Sequence, residues 1–111
     1  TTTSAGIRNR AIIETFYSTG IRRAELAALD VSDVDFAREI LRIRMGKGSR
    51  DRIAPIGERA LYWLGKYISS HRAEQNTERL FTTNEGFVLR AHRIGQIVQE
   101  CFIRAGLPRK G

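Results

Sequence analysis

The stretch EILRIRMGKGSRDRIAPI, residues 39–56, decides the fold class, because here the apolar residues change from helical spacing to the alternation of a strand. Leu41, Ile43 and Met45 alternate with arginines, which is typical of a strand with one buried face. A glycine-rich turn then leads into a second strand, so the stretch predicts an antiparallel hairpin, with an edge strand contributed by the residues just before it. The predicted strands are about residues 33–36, 39–45 and 50–54.

Helical spacing flanks this hairpin on both sides. Before it, apolar residues recur at i, i+3 and i+4 until Gly20, which fits a C-terminal cap, and a second, short helix follows. After it, two further amphipathic helices are separated by a loop or short extended segment. The predicted helices are about residues 5–19, 22–30, 57–71 and 90–105. We therefore predict a single α+β domain, mostly helical, with a small two- or three-stranded antiparallel sheet inserted between helices.

The charge balance favours a polyanionic partner. Nineteen Lys+Arg stand against twelve Asp+Glu, a formal net charge of +7, and the hairpin region 38–52 alone carries +4. Double-stranded DNA is the first expectation, and an ordinary solvated basic surface is the alternative.

Cysteine content and hydropathy argue against a disulfide-stabilised protein and against a membrane-spanning one. The single cysteine, Cys101, cannot form an internal disulfide, and its apolar helical setting predicts a buried thiol. No apolar run approaches the roughly 18 residues of a membrane span, and the first ten residues contain no signal-peptide core. We expect a cytoplasmic protein without a membrane partner.

The tip of the hairpin, Gly46-Lys47-Gly48, is the first candidate for chemistry. Flanking glycines permit a tight turn and the close approach of a duplex backbone, although most such turns carry only a solvated lysine. A mononucleotide-binding P-loop is excluded, because that motif needs a glycine where this chain has Leu41, and a strand leading into a helix.

No metal or other cofactor is expected. His71 and His92 are far apart and have no cysteine at ligand spacing. Asp30, Asp33 and Asp35 could hold Mg²⁺ in principle, but their place between a helix end and a strand start favours turn formation.

The stretch TGIRRAEL, residues 19–26, contains the second candidate. If the helix includes Arg22, this residue lies on the same inward stripe as Leu26, and a guanidinium there needs an acid or a bound anion opposite. Arg23 points away, as expected of a solvated residue. The alternative for Arg22 is a simple structural pair with Glu25.

Taken in order, three motifs resemble the tyrosine recombinase family, of the phage-integrase and chromosome-dimer-resolution type. They are TGIRRAEL, the leucines and aspartates of LAALDVSDVD, and GKGSRDRIAPI, and the similarity runs from about Ile7 to Leu107. The resemblance implies the amino-terminal part of a catalytic domain that breaks and rejoins DNA at specific sites through a phosphotyrosyl bond. It also implies a synaptic tetramer in the intact protein.

The resemblance assigns roles to individual residues. Arg22 corresponds to the first of two catalytic arginines that grip the scissile phosphate, Glu25 to the acid that orients the site, and Lys47 to the hairpin lysine that protonates the departing 5′ oxygen. The residues expected to contact DNA are Arg23, Arg44, Ser49, Arg50 and Arg52.

In that family the second arginine, the histidines and the tyrosine nucleophile follow the AGL segment. Tyr17, Tyr62 and Tyr67 all precede it, in amphipathic helices where packing is their expected role. We therefore expect this chain to be the first half to two-thirds of a catalytic domain, inactive by itself. Two alternatives stay open: a DNA-binding module without catalysis, and a partner-binding domain with a basic surface.

The charge of the hairpin predicts weak, sequence-independent binding of duplex DNA by this chain. Because such binding releases condensed counterions, log K should fall with log salt concentration at about 0.9 per neutralised phosphate. Titrations at two salt concentrations check it. Absent affinity at low salt, or affinity that barely changes between the two, would contradict the prediction.

Overall fold

Helices enclose a small sheet in the computed structural model of the protein, which describes residues 4–44, 51–72 and 77–104. The predicted architecture, mostly helical with an antiparallel sheet, is confirmed, and the sheet has three strands in the order β1-β2-β3. The helices are α1 (Ser4–Thr19), α2 (Arg23–Ala27), α3 (Glu58–Tyr67) and α4 (Ala91–Arg104), and the strands are β1 (Val34–Asp35), β2 (Ile40–Ile43) and β3 (Arg52–Pro55).

The turn after α1 sets the direction in which the chain enters α2. Gly20 has a φ of +68° and donates its N–H to the Phe16 carbonyl at 2.9 Å, a left-handed helix cap of the kind predicted there. Ile21 follows with 1% exposure and anchors the turn in the core. Arg22 then stands in extended backbone, with φ −74° and ψ 155°, as the residue before the first turn of α2.

Helix α2 is shorter than the predicted 22–30. It ends at Ala27, and Asp30 is already extended, at the start of a 3₁₀ turn over Val31–Asp33. The Asp33 carboxylate accepts the Asp30 N–H at 2.9 Å, so local side-chain bonding competes with continuation of the helix.

The sheet buries one face against the helices. Val34 pairs with Leu41, and Leu41 pairs with Ala54, so three buried apolar side chains lie side by side. Ile43 is buried and Arg42 is exposed, as the alternation of β2 predicts. Met45 and the hairpin tip lie outside the described residues.

The segment between α3 and α4 contributes to the core, which the loop assignment did not anticipate. Leu80 and Phe81 are completely buried. The Leu80 N–H donates to the Leu29 carbonyl at 2.9 Å, and the Val31 N–H donates to the Glu78 carbonyl at 2.9 Å, so this segment runs beside the exit of α2. Backbone pairing at long sequence separation explains why periodicity did not reveal it.

The three tyrosines have different environments. Tyr67, at the end of α3, is buried and donates its hydroxyl to the Leu80 carbonyl at 2.9 Å while accepting the Thr82 N–H at 3.1 Å. Tyr17 and Tyr62 are 55% and 60% exposed. Tyr17 contacts the rings of Phe16 and Phe102, and Tyr62 contacts the Trp63 ring and the Lys66 ammonium. Packing in the interior is therefore the role of Tyr67 alone among the three. Cys101, expected to be buried, is only partly so.

Tyr67→Phe should destabilise the chain by about 1–3 kcal/mol, because it removes the hydroxyl that both accepts from and donates to buried backbone groups. Tyr62→Phe is the matched control, since the Tyr62 side chain is exposed, and it should change stability by less than about 0.5 kcal/mol. Urea unfolding measures both. Equal effects of the two substitutions would show that the Tyr67 hydroxyl is not a structural bond.

Candidate functional site

An open cleft lies where the end of α1 and the starts of α2 and α4 meet. Its volume is about 610 Å³, and it presents two arginines and a histidine but no acidic side chain. A surface of that composition favours a bound anion. The lining residues are Phe16, Gly20, Ile21, Arg22, Arg23, Ala24, Ala91 and His92.

Arg22 occupies this cleft from an exposed position, so its predicted place on an inward stripe is wrong. The helical wheel does not apply to it because its backbone is extended and α2 begins at Arg23. Its guanidinium forms no hydrogen bond or ion pair with another residue of the described ranges. The donors of Arg22 are therefore free to meet a ligand as far as the described chain is concerned.

Arg23 is also exposed, but it has a structural setting that the sequence did not suggest. Its guanidinium crosses to α4 and lies against Gly95, where any larger residue would collide with it. Gly95 is buried at this contact. The missing side chain at Gly95 thus gives Arg23 its place on the cleft wall.

Glu25 holds the start of α2 through its carboxylate. One oxygen, Oε1, accepts both the Arg22 backbone N–H and the Arg52 guanidinium, each at 2.9 Å. The Arg22 N–H lowers the pKa of Glu25, burial works against it, and the Arg52 hydrogen bond lowers it further; the net direction is down. Glu25 is therefore an ionised helix cap bonded to the backbone of Arg22 rather than to its side chain.

Arg44 and Arg52, two of the predicted DNA-contacting residues, both bind acids of this chain. Arg52 reaches Glu25 from β3. Arg44, just after β2, has its Nη2 3.0 Å from carboxylate oxygens of both Asp30 and Asp33, and the same atom donates to the Ala28 carbonyl at 3.0 Å. The sequence spacing does not predict these pairs, because each joins elements that are distant along the chain.

The aspartates between α2 and β1 are turn-forming and paired. Asp33 is 2% exposed and also lies 3.3 Å from Arg42 Nε, while Asp35 accepts the Arg38 backbone N–H at 2.9 Å in the next turn. Within the described ranges, no three His, Cys, Asp or Glu side chains gather as metal ligands would.

Three candidate residues, Lys47, Ser49 and Arg50, lie outside the described residues. Their assignments stay predictions. The structure describes only the strands that lead to and from this tip.

The sequence assigned no role to two further residues, one in the cleft wall and one in the interior. His92 is exposed in the cleft wall and lies 3.4 Å from the Gln96 side chain. Arg8 is buried, bonds to the Asn9 side chain at 3.0 Å and reaches the Thr82 carbonyl at 3.4 Å, and burial lowers its pKa. The tertiary fold alone places these side chains, so only a structure could find them.

The helices within the described ranges include none with the length and apolar character needed to cross a membrane.

Comparison of the sequence with known proteins gives strong matches. The model for the phage integrase family matches residues 1–110. Tyrosine recombinase XerC 2 of Ralstonia nicotianae is 39% identical over 112 residues, covering 98% of this chain and 32% of that protein. Tyrosine recombinase XerC of Chlamydia muridarum is 38% identical over 105 residues, covering 92% of this chain and 33% of that protein. The chain thus spans about a third of the length of the curated relatives it matches.

Solved structures share the fold. The crystal structure of XerA recombinase superposes with a TM-score of 0.84 at 29% identity, over 97% of this chain and 40% of that chain. The XerH site-specific recombinase bound to difH substrate, in a pre-cleavage complex, superposes with a TM-score of 0.81 over 100% of this chain and 33% of that chain. Its identity is 22%, so this second match shows the fold alone.

Arg22→Ala and Glu25→Ala should differ in their effect on stability. Loss of Arg22 leaves the free energy of unfolding within about 0.5 kcal/mol of the parent, because its side chain has no partner among the described residues. Loss of Glu25 removes the cap of α2 and should cost about 1 kcal/mol. Thermal unfolding of both variants checks this, and a lower melting temperature for Arg22→Ala than for Glu25→Ala would contradict it.

Proposed function

This chain belongs to the phage integrase family, and from that premise we propose that the intact protein is a site-specific recombinase that breaks and rejoins duplex DNA through a phosphotyrosyl intermediate. The observation that carries the proposal is the cationic cleft, in which the Arg22 guanidinium forms no ion pair or hydrogen bond with an acid of the described residues. A phosphodiester supplies the missing negative charge.

Arg22 is proposed as a catalytic residue that binds the scissile phosphate. When a tyrosine oxygen attacks phosphorus, negative charge grows on the non-bridging oxygens, and a fixed guanidinium stabilises it by fork-like hydrogen bonds. A residue with this role should have side-chain hydrogen-bond donors that are unused in the free protein, and a backbone held in one conformation. Arg22 has both, since Glu25 holds its N–H at 2.9 Å.

Glu25 and Lys47 complete the proposed part of the machinery in this chain. Glu25 is the orienting acid, acting through the backbone of Arg22 and through Arg52. Lys47 is proposed as the general acid that gives a proton to the 5′ oxygen when the bond from phosphorus to that oxygen breaks. The tyrosine nucleophile and the second arginine belong to the region that the family resemblance places after AGL.

DNA contact outside the reacting phosphate is proposed for Arg23, Ser49 and Arg50. Arg23 supports the proposal by its place in the cleft wall beside Arg22. Arg44 and Arg52 were predicted to contact DNA as well, and in the free chain both are ion-paired with carboxylates.

The proposal extends to assembly and compartment. The relatives that are 38–39% identical are tyrosine recombinases, which supports duplex DNA as the partner here. From the family resemblance we also propose that the intact protein assembles as a synaptic tetramer. The curated relatives are bacterial, and because bacterial DNA lies in the cytoplasm we place the reaction there.

The direct test uses the intact recombinase and a nicked suicide substrate, which traps the covalent protein–DNA product for denaturing electrophoresis. Arg22→Ala should lower the rate of trapping by about 10²–10³-fold, as removal of one charge-stabilising donor does elsewhere. Arg59→Ala is the control: Arg59 is an exposed arginine on α3 that pairs with Glu14 at 2.9 Å, away from the cleft.

A covalent product whose yield is unaffected by Arg22→Ala would overturn the role given to Arg22. DNA binding without any covalent product would instead support a non-catalytic DNA-binding module.

A further inference from the structure

Gly95, in the middle of α4, is the residue against which the Arg23 side chain packs. Its neighbours on the helix, Ile94 and Ile97, are buried in the core, and Gly95 itself is buried. A methyl group added at Gly95 would lie 2.9 Å from Arg23 Cδ, 3.3 Å from Arg23 Cζ and closer still to Nη1. Both the aliphatic stem and the guanidinium of Arg23 therefore occupy the space that a side chain at position 95 would fill.

The space at Gly95 is used by Arg23 before any other residue. The three atoms nearest to an added methyl group all belong to the Arg23 side chain, and none of them belongs to the backbone or to the apolar core. A glycine inside a helix lowers stability relative to alanine, because it loses more backbone freedom on folding. The contact with Arg23 gives a reason for a glycine at this position that core packing does not give.

Gly65, inside α3, provides a contrast within the same fold. A methyl group added there would lie 3.8 Å from Phe36 Cε1, which is ordinary van der Waals contact. Alanine therefore fits at position 65 without displacing a side chain. At position 95 the same substitution has to displace Arg23.

The contact with Gly95 restricts an arginine that has no ion pair with a described residue. An exposed arginine without such a contact occupies many rotamers, and ordering them on binding lowers affinity. Arg23 lies beside Arg22 in the wall of the cleft, whose lining residues include no acid. If its side chain is already held on that wall, Arg23 loses less conformational entropy when it meets a phosphate.

We propose that Gly95 is a positioning residue, which leaves room on α4 for the Arg23 side chain and so orders this arginine for a backbone phosphate of DNA in the cleft. The inference rests on the proposed function, in which Arg23 contacts DNA. It adds a buried residue without a side chain, which acts on DNA only through Arg23.

A double-mutant cycle in the intact recombinase tests the proposal through the affinity for duplex DNA. Gly95→Ala should weaken binding about three- to tenfold, because the displaced Arg23 side chain has to be ordered during binding. In the Arg23→Ala background the same substitution should change the affinity less than about twofold, because the side chain that it displaces is absent. Gly65→Ala is the matched control and should bind DNA like the parent.

Thermal unfolding of the same variants separates positioning from packing. Gly95→Ala should unfold at or above the melting temperature of the parent, because alanine favours the helix and the side chain that moves is exposed. A lower melting temperature together with an equal loss of affinity in both backgrounds would overturn the proposal, as would unchanged DNA affinity of Gly95→Ala. Failure of the parent to bind duplex DNA would instead contradict the proposed function.

A measurement on the parent chain needs no substitution. Nitrogen-15 relaxation of the arginine Nε–Hε groups in the 111-residue chain reports side-chain motion on the picosecond to nanosecond scale. Arg23 should have a higher order parameter than Arg22, whose guanidinium has no hydrogen bond or ion pair with a described residue. Equal mobility of the two side chains would show that Gly95 does not order Arg23, and the proposal would be wrong.

Discussion

The Glu25 carboxylate joins the parts of the molecule on which the proposed chemistry depends. Its Oε1 atom accepts the Arg22 N–H and the Arg52 guanidinium, so the start of α2 and the start of β3 share one acceptor. Arg22 stands in extended backbone immediately after the Gly20 turn, where a free chain has many conformations. The hydrogen bond that the Arg22 N–H donates to Glu25 selects one of them and leaves the Arg22 guanidinium open to the cleft.

The arginines around the site fall into two groups, those ion-paired with acids of this chain and those without such a pair among the described residues. The arginines of β2 and β3 and the one just after β2 are ion-paired with acids of α2 or of the turn that follows it: Arg42 with Asp33, Arg44 with Asp30 and Asp33, and Arg52 with Glu25. The two arginines of the cleft have no ion pair with a described residue. The Arg23 side chain instead packs against Gly95, which has no side chain to exclude it. A basic surface thus contains two populations, one that builds the framework and one that is available to a polyanion.

Local patterns predicted the framework, and long-range contacts decided the site. The alternation of Leu41 and Ile43 and the glycine at position 20 were readable because strand period and helix capping act over a few residues. The interpretation of Arg22 as a misplaced inward charge was wrong. The helix was predicted to begin at Arg22 but begins at Arg23, so helical periodicity does not give the direction of the Arg22 side chain. Its assignment to the phosphate came from the family resemblance.

Pairs such as Arg52 with Glu25 span 27 residues, and no periodicity encodes them. The burial of Leu80 and Phe81 likewise depends on backbone bonds to the exit of α2. For the same reason the sequence listed Arg44 and Arg52 among DNA contacts: charge is visible in a sequence, whereas the partner that uses it is not.

The titration of Glu25 tests the central claim most directly. Carbon-detected NMR of the labelled 111-residue chain gives the pKa of the Glu25 carboxyl, which should lie below the ordinary value of about 4.3 and rise toward it in Arg52→Ala. Because the folded pKa is the lower one, stability from this group is present above the unfolded pKa and lost as pH falls through the folded value. A pKa near the ordinary value that is unchanged by Arg52→Ala would show that the Glu25 carboxylate does not join the start of α2 to the start of β3.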